Sequence, residues 1–102
     1  MTVKEMLESK YREYMKNITA RQWEKIKAEA EGKKLHPAEW IIRGYLNITV
    51  NEANPRKNPE VYRELIQMNK DKLVASNRHR QYHGKVDTFW LTKKGYKKLF
   101  TE

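Results

Sequence analysis

The sequence predicts a small α+β domain, mostly helical, with N-terminal helices ahead of a C-terminal β-hairpin and a short terminal helix. Three observations predict it. Two capping boxes, Thr2-Val3-Lys4-Glu5 and Thr19-Ala20-Arg21-Gln22, each open a segment with apolar residues at helical spacing. Asn58-Pro59 opens another such segment, with asparagine placed as a cap and proline at the first helical position. Two short runs of strand-forming residues, 73–76 and 86–91, then flank a polar stretch. A chain of 102 residues makes one domain around one core. The reading divides it into a helical extension, 1–35, and a core, 36–102.

The first helix starts at Thr2 and ends near Asn17, with Val3, Met6, Leu7, Tyr11, Tyr14 and Met15 on one broad face. The second runs from about Ala20 to Glu31. Ile18 and Trp23 form a hydrophobic staple at its start, and Gly32 is placed to stop it. Its apolar stripe of Trp23, Ile26 and Ala30 is thin, so it must rest on other elements. His36-Pro37 opens a third helix whose buried side is read as Trp40, Ile41, Tyr45 and Leu46. Ile48-Thr49-Val50 has strand character, and 51–58 reads as a loop. The fourth helix carries a core stripe of Val61, Leu65 and Met68, widened by Tyr62 and Ile66. The hairpin holds a long basic tip, 77–85, between its strands. Thr92 caps a last helix carrying Tyr96, Leu99 and Phe100.

Charge narrows the function. Twenty-two Lys and Arg against thirteen Asp and Glu leave +9, which points to a polyanionic partner, nucleic acid first. The excess is concentrated late: 69–98 holds nine basic residues and two acidic ones. With 38% hydrophobic and 11% aromatic residues, the chain has material for a packed core. No apolar run approaches the roughly 20 residues of a membrane span, and Met1 to Glu5 shows no signal-peptide stretch. The absence of cysteine excludes disulfides, thiolate metal sites and cysteine nucleophiles. The expected location is cytoplasmic.

Catalytic patterns are missing. There is no phosphate-binding glycine loop, no nucleophile elbow and no His-Glu-x-x-His helix. His79 and His83 are four apart but lack the three or four converging ligands of a metal site. Acid pairs such as Glu29 and Glu31, or Glu60 and Glu64, read as solvated helix faces rather than the clustered acids of a nuclease. The expectation is a non-enzyme without cofactor or metal.

From Val61 onward the spacing resembles the winged-helix family of DNA-binding domains. Val61, Arg63, Leu65 and Met68, followed by Leu73 and Val74, are similar to that family's recognition helix and the opening of its hairpin. Trp90-Leu91-Thr92-Lys93-Lys94-Gly95, then Tyr96, Leu99 and Phe100, is similar to the close of its wing. Three features depart from the pattern. Lys72 stands where a turn glycine is usual, the connection before the recognition helix is long, and two N-terminal helices stand where one suffices. The resemblance implies a winged-helix-like core and duplex DNA as partner, in a regulator of transcription or replication.

On that reading Arg63, Gln67 and Lys70 face the major groove, where arginine pairs with guanine and glutamine with adenine. Arg56, Lys57 and Asn58 lie where a phosphate meets the N-terminus of the groove helix. Arg78, Arg80 and Lys85 on the wing clamp the backbone, and Lys93 and Lys94 add charge behind it. Such domains often pair, and Tyr11, Tyr14, Trp23 and Ile26 make the candidate surface for a homodimer. The alternative is a winged-helix adaptor for a protein partner, such as a small phage or mobile-element protein that binds an acidic host protein. Glu60 and Glu64 on the groove helix favour it. The glycine-and-aromatic strand motif and Gly-x-x-Gly loop of common RNA modules are not present.

Overall fold

A computed structural model describes residues 1–49, 51–76 and 88–101. Its elements run α1 (Val3–Asn17), α2 (Ala20–Gly32), α3 (Pro37–Trp40), a π-helical turn (Ile41–Tyr45), β1 (Ile48–Thr49), α4 (Pro59–Lys70), β2 (Val74–Ser76), β3 (Thr88–Leu91) and α5 (Lys93–Phe100). The architecture is α+β and mostly helical, with one small three-stranded antiparallel sheet.

Both N-terminal capping boxes form. Thr2 Oγ1 accepts the Glu5 amide at 3.1 Å while Glu5 accepts the Thr2 amide at 2.8 Å. Thr19 and Gln22 make the same exchange at 3.1 and 2.9 Å. Each box satisfies amides that the first helical turn leaves without partners.

The end of α2 departs from the expected glycine stop. Gly32 is the last helical residue, and Lys34 takes the left-handed backbone at φ 59°. The Leu35 amide donates to Ala30 O at 2.9 Å and the Lys34 amide to Glu31 O at 3.0 Å, the two bonds of a Schellman turn. The turn needs its left-handed residue one position past the cap, which places it at Lys34 and leaves Gly32 inside the helix.

The third helix also differs. His36 caps it as expected, its Nδ1 accepting the Ala38 amide at 3.0 Å. After Trp40 the chain widens, and the Leu46 amide donates five residues back to Ile41 O at 3.0 Å. That extra residue keeps Leu46 on the core face with Ile41 and leaves Tyr45 off it, and Ile42 is buried as well. Tyr45 is 38% exposed and Ile42 is 5% exposed.

β3 lies between β1 and β2, with Ile48 opposite Phe89 and Val74 opposite Leu91. These four side chains are buried, whereas Thr88 and Trp90 are half-buried. Pairing of β2 with β3 delivers the expected antiparallel strands, and β1 adds the third. Val86 and Asp87, expected in the second strand, lie outside the described residues.

One core joins all of these elements. Val3 and Leu7 of α1 meet Ile26 of α2, Ile41, Val61 and Leu65 of α4, and Phe89 of β3. Ile26 is 1% exposed and belongs to this core rather than to an outward face, while Tyr11, Tyr14 and Trp23 pack against it half-buried. Ala53, in the segment read as a loop, is fully buried as well.

Candidate nucleic-acid interface

The fourth helix separates its residues cleanly. Val61, Leu65 and Met68 are buried, and Arg63, Gln67 and Lys70 are exposed on the side turned away from them. The 3.6-residue period of the helix produces this division directly. Tyr62 and Ile66 flank the exposed set, half-buried. The Gln67 side-chain amide lies 3.3 Å from both carboxylate oxygens of Asp71.

Glu64 does not join that exposed set. Its Oε1 accepts the Val3 amide at 2.8 Å, taking up one of the unpartnered donors at the start of α1. A carboxylate there also complements the positive end of the helix dipole. The negative charge that would repel a phosphate, or favour docking to a protein, is thus engaged by the fold. Glu60 remains exposed, 3.1 Å from the amino group of Met1.

The long connection before α4 is ordered by its own side chains. Thr49 and Glu52 bond reciprocally, and Lys10 forms an ion pair with Glu52. Burial pushes the Glu52 carboxyl up, but the bonds from Lys10 and Thr49 outweigh it and hold the group below its ordinary value. Asn54 Oδ1 accepts the Arg56 amide at 2.7 Å, and Asn54 O accepts the amides of Lys57 and Asn58. Arg56 and Lys57 are exposed just ahead of α4. Asn58 departs from its expected role. Its side chain makes no cap bond and instead donates to Glu52 O at 2.8 Å, pinning the loop.

α4 ends in a second Schellman turn. Lys72 is left-handed at φ 61°, the Leu73 amide donates to Met68 O at 2.8 Å, and the Lys72 amide to Asn69 O at 3.2 Å. The lysine at the expected glycine position therefore adopts the glycine conformation. Thr92 then locks α5 to this turn. Its amide donates to Leu73 O at 3.1 Å, and its hydroxyl is 2.9 Å from Lys72 O and 3.1 Å from Leu73 O. The same hydroxyl accepts the Gly95 amide at 3.1 Å, capping α5.

Of the candidate residues, Arg56 and Lys57 stand before α4, Arg63 and Gln67 lie along its exposed face, and Lys70 ends it, while Lys93 and Lys94 are exposed in the first turn of α5. The backbone of Lys72, marked in the sequence only as a missing glycine, is joined to the start of α5 by the Thr92 hydroxyl across 20 residues. Arg78, Arg80 and Lys85, together with His79 and His83, lie outside the described residues.

Elsewhere, Glu29 Oε1 accepts from Tyr45 Oη at 2.5 Å and from Trp40 Nε1 at 3.0 Å. Both bonds hold the Glu29 carboxyl below its usual range, and the bond to Glu29 raises the Tyr45 phenol. The arrangement ties α2 to the π-helical turn. Among the described residues no group of three or more His, Cys, Asp or Glu side chains could hold a metal ion. No described helix is long and apolar enough to cross a membrane. No protein-family model, curated protein or solved structure matches this chain.

Proposed function

We propose that this protein is a non-catalytic duplex-DNA-binding protein on a winged-helix-like plan, serving as a small regulator of transcription or replication. The observation that carries the reading is the face of α4. Arg63, Gln67 and Lys70 are exposed together, opposite a buried stripe, on a helix that turns directly into an antiparallel sheet. A helix of this kind fits the major groove and presents long polar side chains to base edges. The net charge of +9 supplies the attraction to phosphate. Arg78, Arg80 and Lys85, between the paired strands in sequence, complete the backbone contacts in this reading. Glu64 accepts the Val3 amide of α1, while Glu60 on the same helix remains exposed.

The test is binding to a random 30-base-pair duplex across a salt series. About five phosphate contacts give a log-log slope near −4 to −5. No binding at low salt refutes the reading and turns the search to a protein partner.

A further inference from the structure

One cavity is built from two copies of the same short sequence. Asn-Ile-Thr occurs at 17–19 and again at 47–49, with Gln22 and Glu52 three residues after the threonines. Thr19 with Gln22, and Thr49 with Glu52, close reciprocal bonds between side chain and backbone. Both asparagines ahead of these closed turns are exposed. Both turns line a single cavity of about 580 Å³, together with Glu13, Tyr14 and Tyr45. Small-molecule sites occupy roughly 300–1,000 Å³. Tyr45 is one of two exposed large hydrophobic residues among those described, the other being Met1. It is nevertheless held in place. The π-helical turn carries it, its phenol donates to Glu29, and its ring lies 6.0 Å from Tyr14 and 6.2 Å from Trp40. Turns of this kind recur at functional sites.

The bonds already made select the ligand. The Asn17 amide donates to Glu13 O at 3.0 Å, Tyr45 Oη donates to Glu29, and Lys10 is paired with Glu52. Asn17 Oδ1 and the Glu13 carboxylate accept nothing among the described residues. Gln22 is left with amide donors and Asn47 with both kinds of group, so the free groups lean towards acceptors. Lys10 against Glu13 and Glu52 gives the lining one positive and two negative side chains, a net of −1 in a chain at +9. That balance rejects a phosphate and suits a cation. The bond from Tyr45 to a carboxylate also enriches its ring in electrons, which strengthens the pull of the ring face on positive charge. A guanidinium is planar, cationic and rich in donors, stacks on aromatic faces and forks onto carboxylates. We propose that this cavity binds a guanidinium group, from free arginine or from an arginine side chain of another protein. Tyr14 and Tyr45 face its plane, and Glu13 and Asn17 Oδ1 accept its N–H groups. The site is separate from the duplex-binding face.

The test titrates isotope-labelled protein with L-arginine and, separately, with arginine blocked at both ends as it is within a chain, following backbone amide signals by NMR. Citrulline, the neutral isostere, is the control. Saturable shifts should gather at Tyr14, Asn17, Tyr45 and Asn47, with a Kd of about 1 mM or tighter for a ligand of this size. Citrulline should bind at least about tenfold more weakly, having lost the charge. Binding of L-arginine alone supports the site and assigns it to the free amino acid; equal binding of the blocked form supports it and assigns it to a protein side chain. Glu13→Gln should weaken binding roughly tenfold and leave Tm unchanged, because its carboxylate holds no other described residue. Failure to saturate, equal affinity for citrulline, shifts centred elsewhere, or full affinity in Glu13→Gln each overturn the inference. None of these outcomes touches the duplex salt series, so the two readings fail separately.

Discussion

Replacing Gly95 with alanine should be the most damaging such change among the described glycines. A Cβ built on Gly95 lies 1.9 Å from Leu73 O, 2.8 Å from Leu73 C and 3.1 Å from Leu91 Cδ2. The first two atoms are backbone and cannot rotate aside, so α5 must move by more than an ångström. That movement breaks the Thr92 amide bond to Leu73 O and the bond its single hydroxyl proton shares between Lys72 O and Leu73 O, two hydrogen bonds worth about 0.5–1.5 kcal/mol net each. It also loosens Tyr96, Leu99 and Phe100 from the core. The expected cost is about 3–5 kcal/mol, at the severe end of single substitutions. In a domain of this size that lowers Tm by roughly 15–25 °C. Calorimetry and urea unfolding followed by tryptophan fluorescence read it. Two controls isolate the cause. A Cβ at Gly44 meets the Trp40 ring at 3.6–3.7 Å, an ordinary contact, and a Cβ at Gly32 meets nothing within 4 Å. Gly44→Ala and Gly32→Ala should be neutral or stabilising by up to about 1 kcal/mol. A Gly95→Ala protein melting within about 2 °C of wild type would refute the close-approach argument.

Other substitutions probe separate links. Lys34→Gly should stabilise by about 0.5–1 kcal/mol, because it removes left-handed strain at the end of α2 against a smaller entropic cost; a lower urea midpoint contradicts this. Glu64→Ala should cost about 1–2 kcal/mol through the lost Val3 amide bond and leave the DNA salt slope unchanged, whereas a changed slope would place Glu64 on the binding face. Bonds to Lys10 and Thr49 hold the Glu52 carboxyl below the ordinary glutamate range in the folded chain. Its contribution to stability is therefore present above that range and is lost as pH falls through the lower folded value. Glu52→Gln should flatten the acid limb of the stability curve below the ordinary glutamate range, and an unaltered limb counts against the Lys10–Glu52 pair. Arg63→Ala should weaken duplex binding and relax base preference by about 1–3 kcal/mol at one position of a selected site; uniform weakening across sequences would make it a phosphate contact instead.

The helix starts were legible because their causes are local. A threonine and an acid or amide three residues later satisfy adjacent amides, and no distant residue is needed to predict that at Thr2 or Thr19. The same holds for His36, for Thr92 and for the buried stripe of α4, where spacing alone assigns Val61, Leu65 and Met68 to one side. The exposed set Arg63, Gln67 and Lys70 follows from the same periodicity.

What was hidden depends on partners far away in the chain. Ile48-Thr49 is too short to announce a sheet, and it becomes a strand only because β3 offers it hydrogen bonds some 40 residues later. Asn58 had the composition of a cap, but the carbonyl of Glu52, positioned by Thr49 and Lys10, captured its amide. Glu64 looked like a free surface charge until α1 brought the Val3 amide to it across 61 residues. Tyr45 fell outside the core because one widened turn puts an extra residue between Ile41 and Leu46, and no local propensity distinguishes that turn from an ordinary helical one. Gly95 carries the clearest contrast. As a residue it is a glycine in a helix. Its meaning, a close backbone approach to Leu73, arises when Thr92 folds α5 back onto the end of α4, since sterics act on distances in space that separation along the chain does not reveal.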